Sequence, residues 1–138
     1  MKSNYLGFGH LCLTVADLER SLKLYRDIFG FEILMQREKE VPGLGTLQVI
    51  SLGSPQGKME LVHAKRQDAP AKAVPSKGWH FSMEVRDLDA AICELNSAGF
   101  DIDPSRIDTD PNWIGGRGVR SIHFTGPDGE HLELEQFI

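Results

Sequence analysis

The segment FGHLCLTVADL at residues 8–18 decides the fold, because it returns later in the chain as GWHFSMEVRDL at residues 78–88. The histidine, the valine, the aspartate and the final leucine recur at one constant offset. Internal similarity of this kind indicates a duplicated structural unit. Two further echoes keep the same order: FGFEI at 29–33 matches AGFDI at 98–102, and PQGKMEL at 55–61 resembles PDGEHLEL at 127–134.

These echoes divide the chain into two similar modules. The first covers residues 1–65 and the second covers residues 76–138. Residues 66–75 form a linker, since they are rich in alanine, proline and charge and show no apolar periodicity. A chain of 138 residues supports one shared core more readily than two very small ones, so we expect a single domain.

Both modules predict the same order of elements. A strand with alternating apolar residues comes first, and a helix follows with Asp17 or Asp87 as its N-cap. Three shorter strands follow each helix, so the pattern is β-α-β-β-β twice, an α+β fold. We expect the two four-stranded sheets to pair into a cupped mixed sheet with helices outside. The later strands are predicted at 32–37, 45–52 and 58–63, and at 100–102, 119–124 and 131–137.

Composition excludes several classes of protein. The hydrophobic fraction of 41% and the charged fraction of 25% are typical of a soluble globular protein. The net charge is −5 and basic residues are scattered, which argues against a nucleic-acid partner. No apolar run reaches the ~18 residues of a membrane helix, and the N-terminus lacks the apolar core of a signal peptide. We therefore expect a cytoplasmic protein in which Cys12 and Cys93 are reduced, buried thiols.

Four residues are candidate metal ligands. Strand alternation puts His10 and His80 on the face opposite the large apolar residues of their strands. Glu60 and Glu133 each lie between two large apolar residues in a last strand, so both turn to that same inner face. Two inward carboxylates need a compensating charge. We predict one divalent ion on all four residues, with zinc, nickel, cobalt, manganese and iron as candidates.

The residues around these ligands resemble the vicinal-oxygen-chelate superfamily, which includes glyoxalase I, methylmalonyl-CoA epimerase, extradiol dioxygenases, fosfomycin-resistance enzymes and bleomycin-binding proteins. The resemblance rests on the His10 and His80 segments and on FTGPDG at 124–129, which leads to Glu133. It implies a paired βαβββ fold, a metal in the cleft and a small substrate chelated through two oxygens. The metal would act as a Lewis acid while a glutamate moves a proton.

Within that superfamily the four-ligand set is most similar to glyoxalase I. That resemblance implies that a metal-bound glutamate is also the catalytic base, a role that would fall to Glu133 or Glu60. Glyoxalase I commonly has an arginine and an asparagine, both holding glutathione, where this chain has Thr14 and Ala64. The alternatives are an epimerase like methylmalonyl-CoA epimerase, a thiol transferase, a dioxygenase, or a binding protein without catalytic activity.

A second group of residues is predicted to lie near the substrate. Trp113 and Arg117 belong to a long glycine-rich stretch, which is either a lid over the cleft or an ordinary surface loop. Arg120 is predicted either to meet an anionic group of the substrate or to form a surface salt bridge. For His63 and His123 we expect solvent-exposed positions, and His131 and Glu135 are candidates to contact the ligand Glu133. A chain of this size is also expected to form a homodimer.

Overall fold

The structure, a computed structural model, describes residues 10–43, 45–65, 80–112 and 117–138. It divides into two compact units, Met1–Ala73 and Val74–Ile138. The division falls inside the segment that the sequence predicts as a linker. The single domain predicted from the length of the chain stays a prediction.

The first unit is a four-stranded mixed sheet with one helix. Its strands are β1 (Leu11–Thr14), β2 (Glu32–Val41), β3 (Gly45–Ser54) and β4 (Gly57–Ala64), in the order β1-β4-β3-β2. Strand β1 runs parallel to β4, and the other pairs are antiparallel. Helix α1 (Leu18–Leu22) continues as a π-helical turn at Lys23–Ile28. The core of this unit includes Leu22, Leu24, Tyr25, Leu52, Met59 and Leu61.

The second unit repeats this plan. Its strands are β5 (Phe81–Glu84), β6 (Asp108–Asp110), β7 (Val119–Thr125) and β8 (His131–Phe137), in the order β5-β8-β7-β6. Strand β5 runs parallel to β8 as β1 does to β4. Helix α2 (Leu88–Ser97) follows β5, and a short 3-10 turn (Pro104–Arg106) precedes β6. The predicted α+β class with two four-stranded mixed sheets is confirmed.

Both helices begin where the sequence predicts. The Asp17 carboxylate accepts a hydrogen bond from the Arg20 amide, and the Asp87 carboxylate accepts one from the Ala90 amide. These N-caps satisfy amide groups that have no partner within the helix. No described helix is long and apolar enough to cross a bilayer.

Each sheet buries large apolar side chains on one face and carries a glutamate on the other. On β4, Met59 and Leu61 are almost fully buried, and Glu60 between them lies on the opposite face. On β8, Leu132 and Leu134 are buried in the same way around Glu133. We call the side that carries the glutamate the open face of each unit, and the other side the helix face.

Two sequence expectations are wrong. Residues 100–102 form no strand in the second unit. The Asn96 side chain hydrogen-bonds both the amide and the carbonyl of Ile102, at 2.8 and 2.9 Å, so these backbone groups are not free for a strand partner. The edge position is taken instead by β6. The two cysteines, Cys12 and Cys93, are exposed rather than buried.

We expect Asn96→Ala to lower the free energy of unfolding by about 1–2 kcal/mol, because two hydrogen bonds to the backbone of the buried Ile102 are lost. Urea denaturation measures the change. Ser97→Ala is the matched control, since its hydroxyl donates to the Cys93 carbonyl within α2, on the exposed side of the helix. Equal destabilisation by both substitutions would contradict this role of Asn96.

Candidate functional site

The first unit brings together one histidine and one glutamate. His10 directly precedes β1, and its Nε2 lies 3.6 Å from Oε2 of Glu60 on β4. Ser51 on β3 is the direct cross-strand partner of Glu60, and its hydroxyl donates a hydrogen bond of 3.2 Å to Oε1. One carboxylate oxygen therefore faces an imidazole and the other is held by a hydroxyl.

Cys12 lies beside this pair. It is the parallel register partner of Glu60, so its side chain belongs to the open face. Although Cys12 is exposed as a residue, partial burial of its sulfur, and after it the negative charge of Glu60, raise the pKa of its thiol. The shift favours the neutral thiol over the thiolate.

The second unit has the same histidine–glutamate pair, with two further histidines close to it. His80 directly precedes β5, and its Nε2 lies 3.0 Å from Oε2 of Glu133 on β8. Across the strands from Glu133, His123 on β7 places its Nε2 3.5 Å from Oε1. The His131 ring completes the group, with ring centroids 5.5 Å from His80 and 4.8 Å from His123. Three imidazoles thus lie around one carboxylate.

The neighbouring titratable groups on this open face shift one another's pKa values. Burial, and after it the positive charge of His123 and His80, lower the pKa of His131, which favours the neutral imidazole that binds metals. Burial and the charge of Glu133 raise the pKa of the Glu135 carboxyl. The Ser82 hydroxyl lies close to Glu135 but forms no hydrogen bond of good geometry with the described residues.

Within each pair, the distance between the histidine nitrogen and the glutamate oxygen suits two ligands of one ion. Ligand atoms that lie ~2.0–2.2 Å from one ion are about 3–3.5 Å apart. The His10–Glu60 and His80–Glu133 distances of 3.6 and 3.0 Å are close to that spacing. Imidazole nitrogen and carboxylate oxygen are also the donor types that first-row transition metals accept. Among the described residues, no three His, Cys, Asp or Glu side chains are already arranged around one ion position.

The predicted substrate residues have different surroundings. The guanidinium of Arg117 lies 4.4 Å from the ring centroid of Phe137, a residue that shares the open face with Glu133 by alternation along β8. Arg120 belongs to the helix face, where it forms two hydrogen bonds of 3.0 and 3.2 Å with Asp89 of α2. Of the two roles that the sequence predicts for Arg120, the structure therefore shows the surface salt bridge. Trp113 lies outside the described residues.

Sequence reasoning missed the proximity of His123 to Glu133. Buried Ile122 and Phe124 flank His123, so alternation alone could have assigned it to the open face. Its position opposite Glu133 depends on the register between β7 and β8. By contrast, His63 points to the helix face, where Nδ1 lies 3.0 Å from the carbonyl oxygen of Val15.

We expect Arg120→Met to lower the thermal midpoint slightly at low salt and to leave metal binding unchanged, because the Asp89 pair lies on the helix face. Exposed ion pairs are screened by salt, so the difference from the unmodified protein should shrink at about 1 M NaCl. Thermal unfolding at the two salt concentrations and titration with Mn²⁺ measure both parts. A loss of Mn²⁺ binding in this variant would contradict the assignment of Arg120 to the helix face.

Known proteins are similar to this chain in sequence and in fold. Residues 7–134 match the family model of the Glyoxalase/Bleomycin resistance protein/Dioxygenase superfamily. The mitochondrial methylmalonyl-CoA epimerase of Mus musculus is 30% identical over 136 residues, covering 93% of this chain and 71% of the epimerase.

Two solved structures show the same fold at low identity. The trypanothione-dependent glyoxalase I of Leishmania major has a TM-score of 0.64 and 20% identity, and the match covers 96% of this chain and 87% of that one. The fosfomycin resistance protein FosX of Listeria monocytogenes, complexed with Mn(II) and sulfate, has a TM-score of 0.63 and 16% identity. That match covers 96% of this chain and 93% of FosX.

Proposed function

This chain belongs to the Glyoxalase/Bleomycin resistance protein/Dioxygenase superfamily, and from that premise we propose that it is a divalent-metal-dependent isomerase or lyase. It would move a proton on a small substrate that chelates the metal through two oxygens. The observation that carries the proposal is the duplicated His–Glu pair, built at matching strand positions in both units. A binding protein without catalysis has no need for two such pairs.

The metal ligands in this proposal are His10, Glu60, His80 and Glu133, the residues that the sequence predicts. That all four bind a single ion stays a prediction. The Mn(II) present in FosX supports a divalent cation on this scaffold, and the imidazole and carboxylate donors suit manganese, cobalt, nickel, zinc or iron(II). When bound, such an ion supplies Lewis-acid chemistry that lowers the pKa of a C–H bond beside a chelated carbonyl.

The protein's own part in the reaction is to hold and move the proton. A carboxylate oxygen of Glu133 or Glu60 is the proposed base, since a general base must reach within hydrogen-bond distance of the proton that it removes. Both side chains are partly shielded from water, with 14% of Glu133 and 24% of Glu60 exposed.

An acyl thioester with a second carbonyl oxygen is the proposed substrate class. The support is the methylmalonyl-CoA epimerase of Mus musculus, which aligns with almost the whole of this chain. The second candidate is the isomerisation of a hemithioacetal, the glyoxalase I reaction. It is favoured by Glu60, which completes the set of two histidines and two acids. Thr14 and Ala64 argue that its thiol would be other than glutathione.

We expect about one divalent ion per chain after reconstitution, and loss of that ion in His80→Ala and Glu133→Gln, because each removes one member of the proposed ligand set. Elemental analysis of the dialysed proteins measures the content. Glu135→Gln is the matched control, since Glu135 shares the strand and the open face with Glu133 but forms no ion pair with His80 among those described. Absence of metal from the unmodified protein with every candidate ion would leave a binding protein on this scaffold.

We expect the loaded protein to exchange the α-proton of methylmalonyl-CoA for deuterium in D₂O, since removal and return of that proton is the proposed chemistry. Mass spectrometry measures the exchange, and a chelator should abolish it. The same preparation is assayed with methylglyoxal and a panel of thiols. Turnover only with the hemithioacetal would replace the epimerase assignment by the glyoxalase one, and oxygen consumption with a catechol would replace both. The predicted homodimer stays a prediction.

A further inference from the structure

Each ligand glutamate has a polar side chain of the neighbouring strand beside one of its two oxygens. In the first unit, one oxygen of Glu60 accepts from Ser51 at 3.2 Å, and the other faces His10 at 3.6 Å. In the second unit, one oxygen of Glu133 lies 3.5 Å from Nε2 of His123, and the other faces His80 at 3.0 Å. Each carboxylate is thus placed between a histidine and a neighbouring strand.

The holding residues occupy equivalent positions. Ser51 on β3 is the direct antiparallel partner of Glu60 on β4, and His123 on β7 is the direct antiparallel partner of Glu133 on β8. Side chains directly opposite each other in such a pair have their Cβ atoms ~4.5–5.5 Å apart, so the ladder itself brings both residues to the carboxylate.

We propose that Ser51 and His123 are positioning residues, each of which holds one carboxylate oxygen so that the other stays directed at the histidine of its own unit. This inference rests on the proposed metal site. A glutamate has several rotatable bonds, and ordering it costs conformational free energy when the metal binds. A partner that orders the carboxylate beforehand removes part of that cost, and loss of such a partner typically weakens metal affinity by about 10–100-fold.

The chemistry of the partner differs between the units. Ser51 offers a small neutral hydroxyl, which donates one hydrogen bond and leaves little bulk beside Glu60. His123 offers a ring nitrogen and stacks edge-to-face against His80, with ring centroids 5.4 Å apart. It therefore restricts the carboxylate and the facing imidazole together. We accordingly expect the loss of His123 to weaken binding more than the loss of Ser51.

The test is a direct titration of the full chain with Co²⁺ alone, followed by calorimetry and by the visible absorption of the ion. Ser51→Ala and His123→Phe remove the polar contact and should raise the dissociation constant about 10–100-fold. Ser51→Thr keeps a hydroxyl, His123→Gln keeps an N–H donor, and both should bind as the unmodified protein does. Thr125→Val, on the same face of β7 but opposite His131, is the matched control and should also bind normally.

The outcomes distinguish failure of the positioning roles of Ser51 and His123 from failure of the proposed metal site. Positioning residues act through the carboxylates and do not themselves bind the ion, so the Co²⁺ absorption at saturation should not change in any variant. Unchanged affinity in Ser51→Ala and His123→Phe, with normal binding by the unmodified protein, would overturn this inference and leave the proposed function standing. A changed Co²⁺ spectrum in His123→Phe that glutamine does not restore would overturn it by making His123 a ligand. No binding by the unmodified protein would overturn both proposals.

Discussion

Burial of the apolar side of β4 and β8 is the constraint on which the rest of the arrangement depends. Met59, Leu61, Leu132 and Leu134 are each exposed by at most 1%, and burial of a side chain of this size contributes roughly 1.5–3 kcal/mol. Because strand residues alternate between two faces, a shift of one residue would expose all four and bury the glutamates instead. The same burial that stabilises each sheet therefore determines which way Glu60 and Glu133 point.

Parallel pairing then brings a histidine to each glutamate. Strand β1 runs beside β4 and β5 runs beside β8, so the residue preceding each short first strand lies near the beginning of a last strand, close to its glutamate. His10 and His80 occupy those positions, and neither contact depends on a residue of the other unit. A duplicated module thus places two matched pairs without needing any special loop geometry.

The two units differ most in what surrounds the pair. Glu60 has a hydroxyl and a thiol beside it, whereas Glu133 has three imidazoles and a second carboxyl group on the same face. The backbone plan is common to both units, so this difference comes from side chains alone. Superfamilies that keep one scaffold and vary its side chains support many reactions, which is why membership by itself does not select a substrate.

The sequence by itself determined the duplication, the order of elements, the N-caps of the helices and the face on which the four candidate ligands lie. All of these follow from local signals: repeated motifs, period-two alternation, and aspartates before apolar runs. Only the tertiary structure decided that His123 lies beside Glu133 and that Arg120 pairs with Asp89. It also decided that the Asn96 side chain, and not a strand partner, hydrogen-bonds the backbone of Ile102. These contacts depend on the register between strands and on how a helix packs on its sheet. Both are set by interactions between residues distant in the chain, which local patterns do not encode.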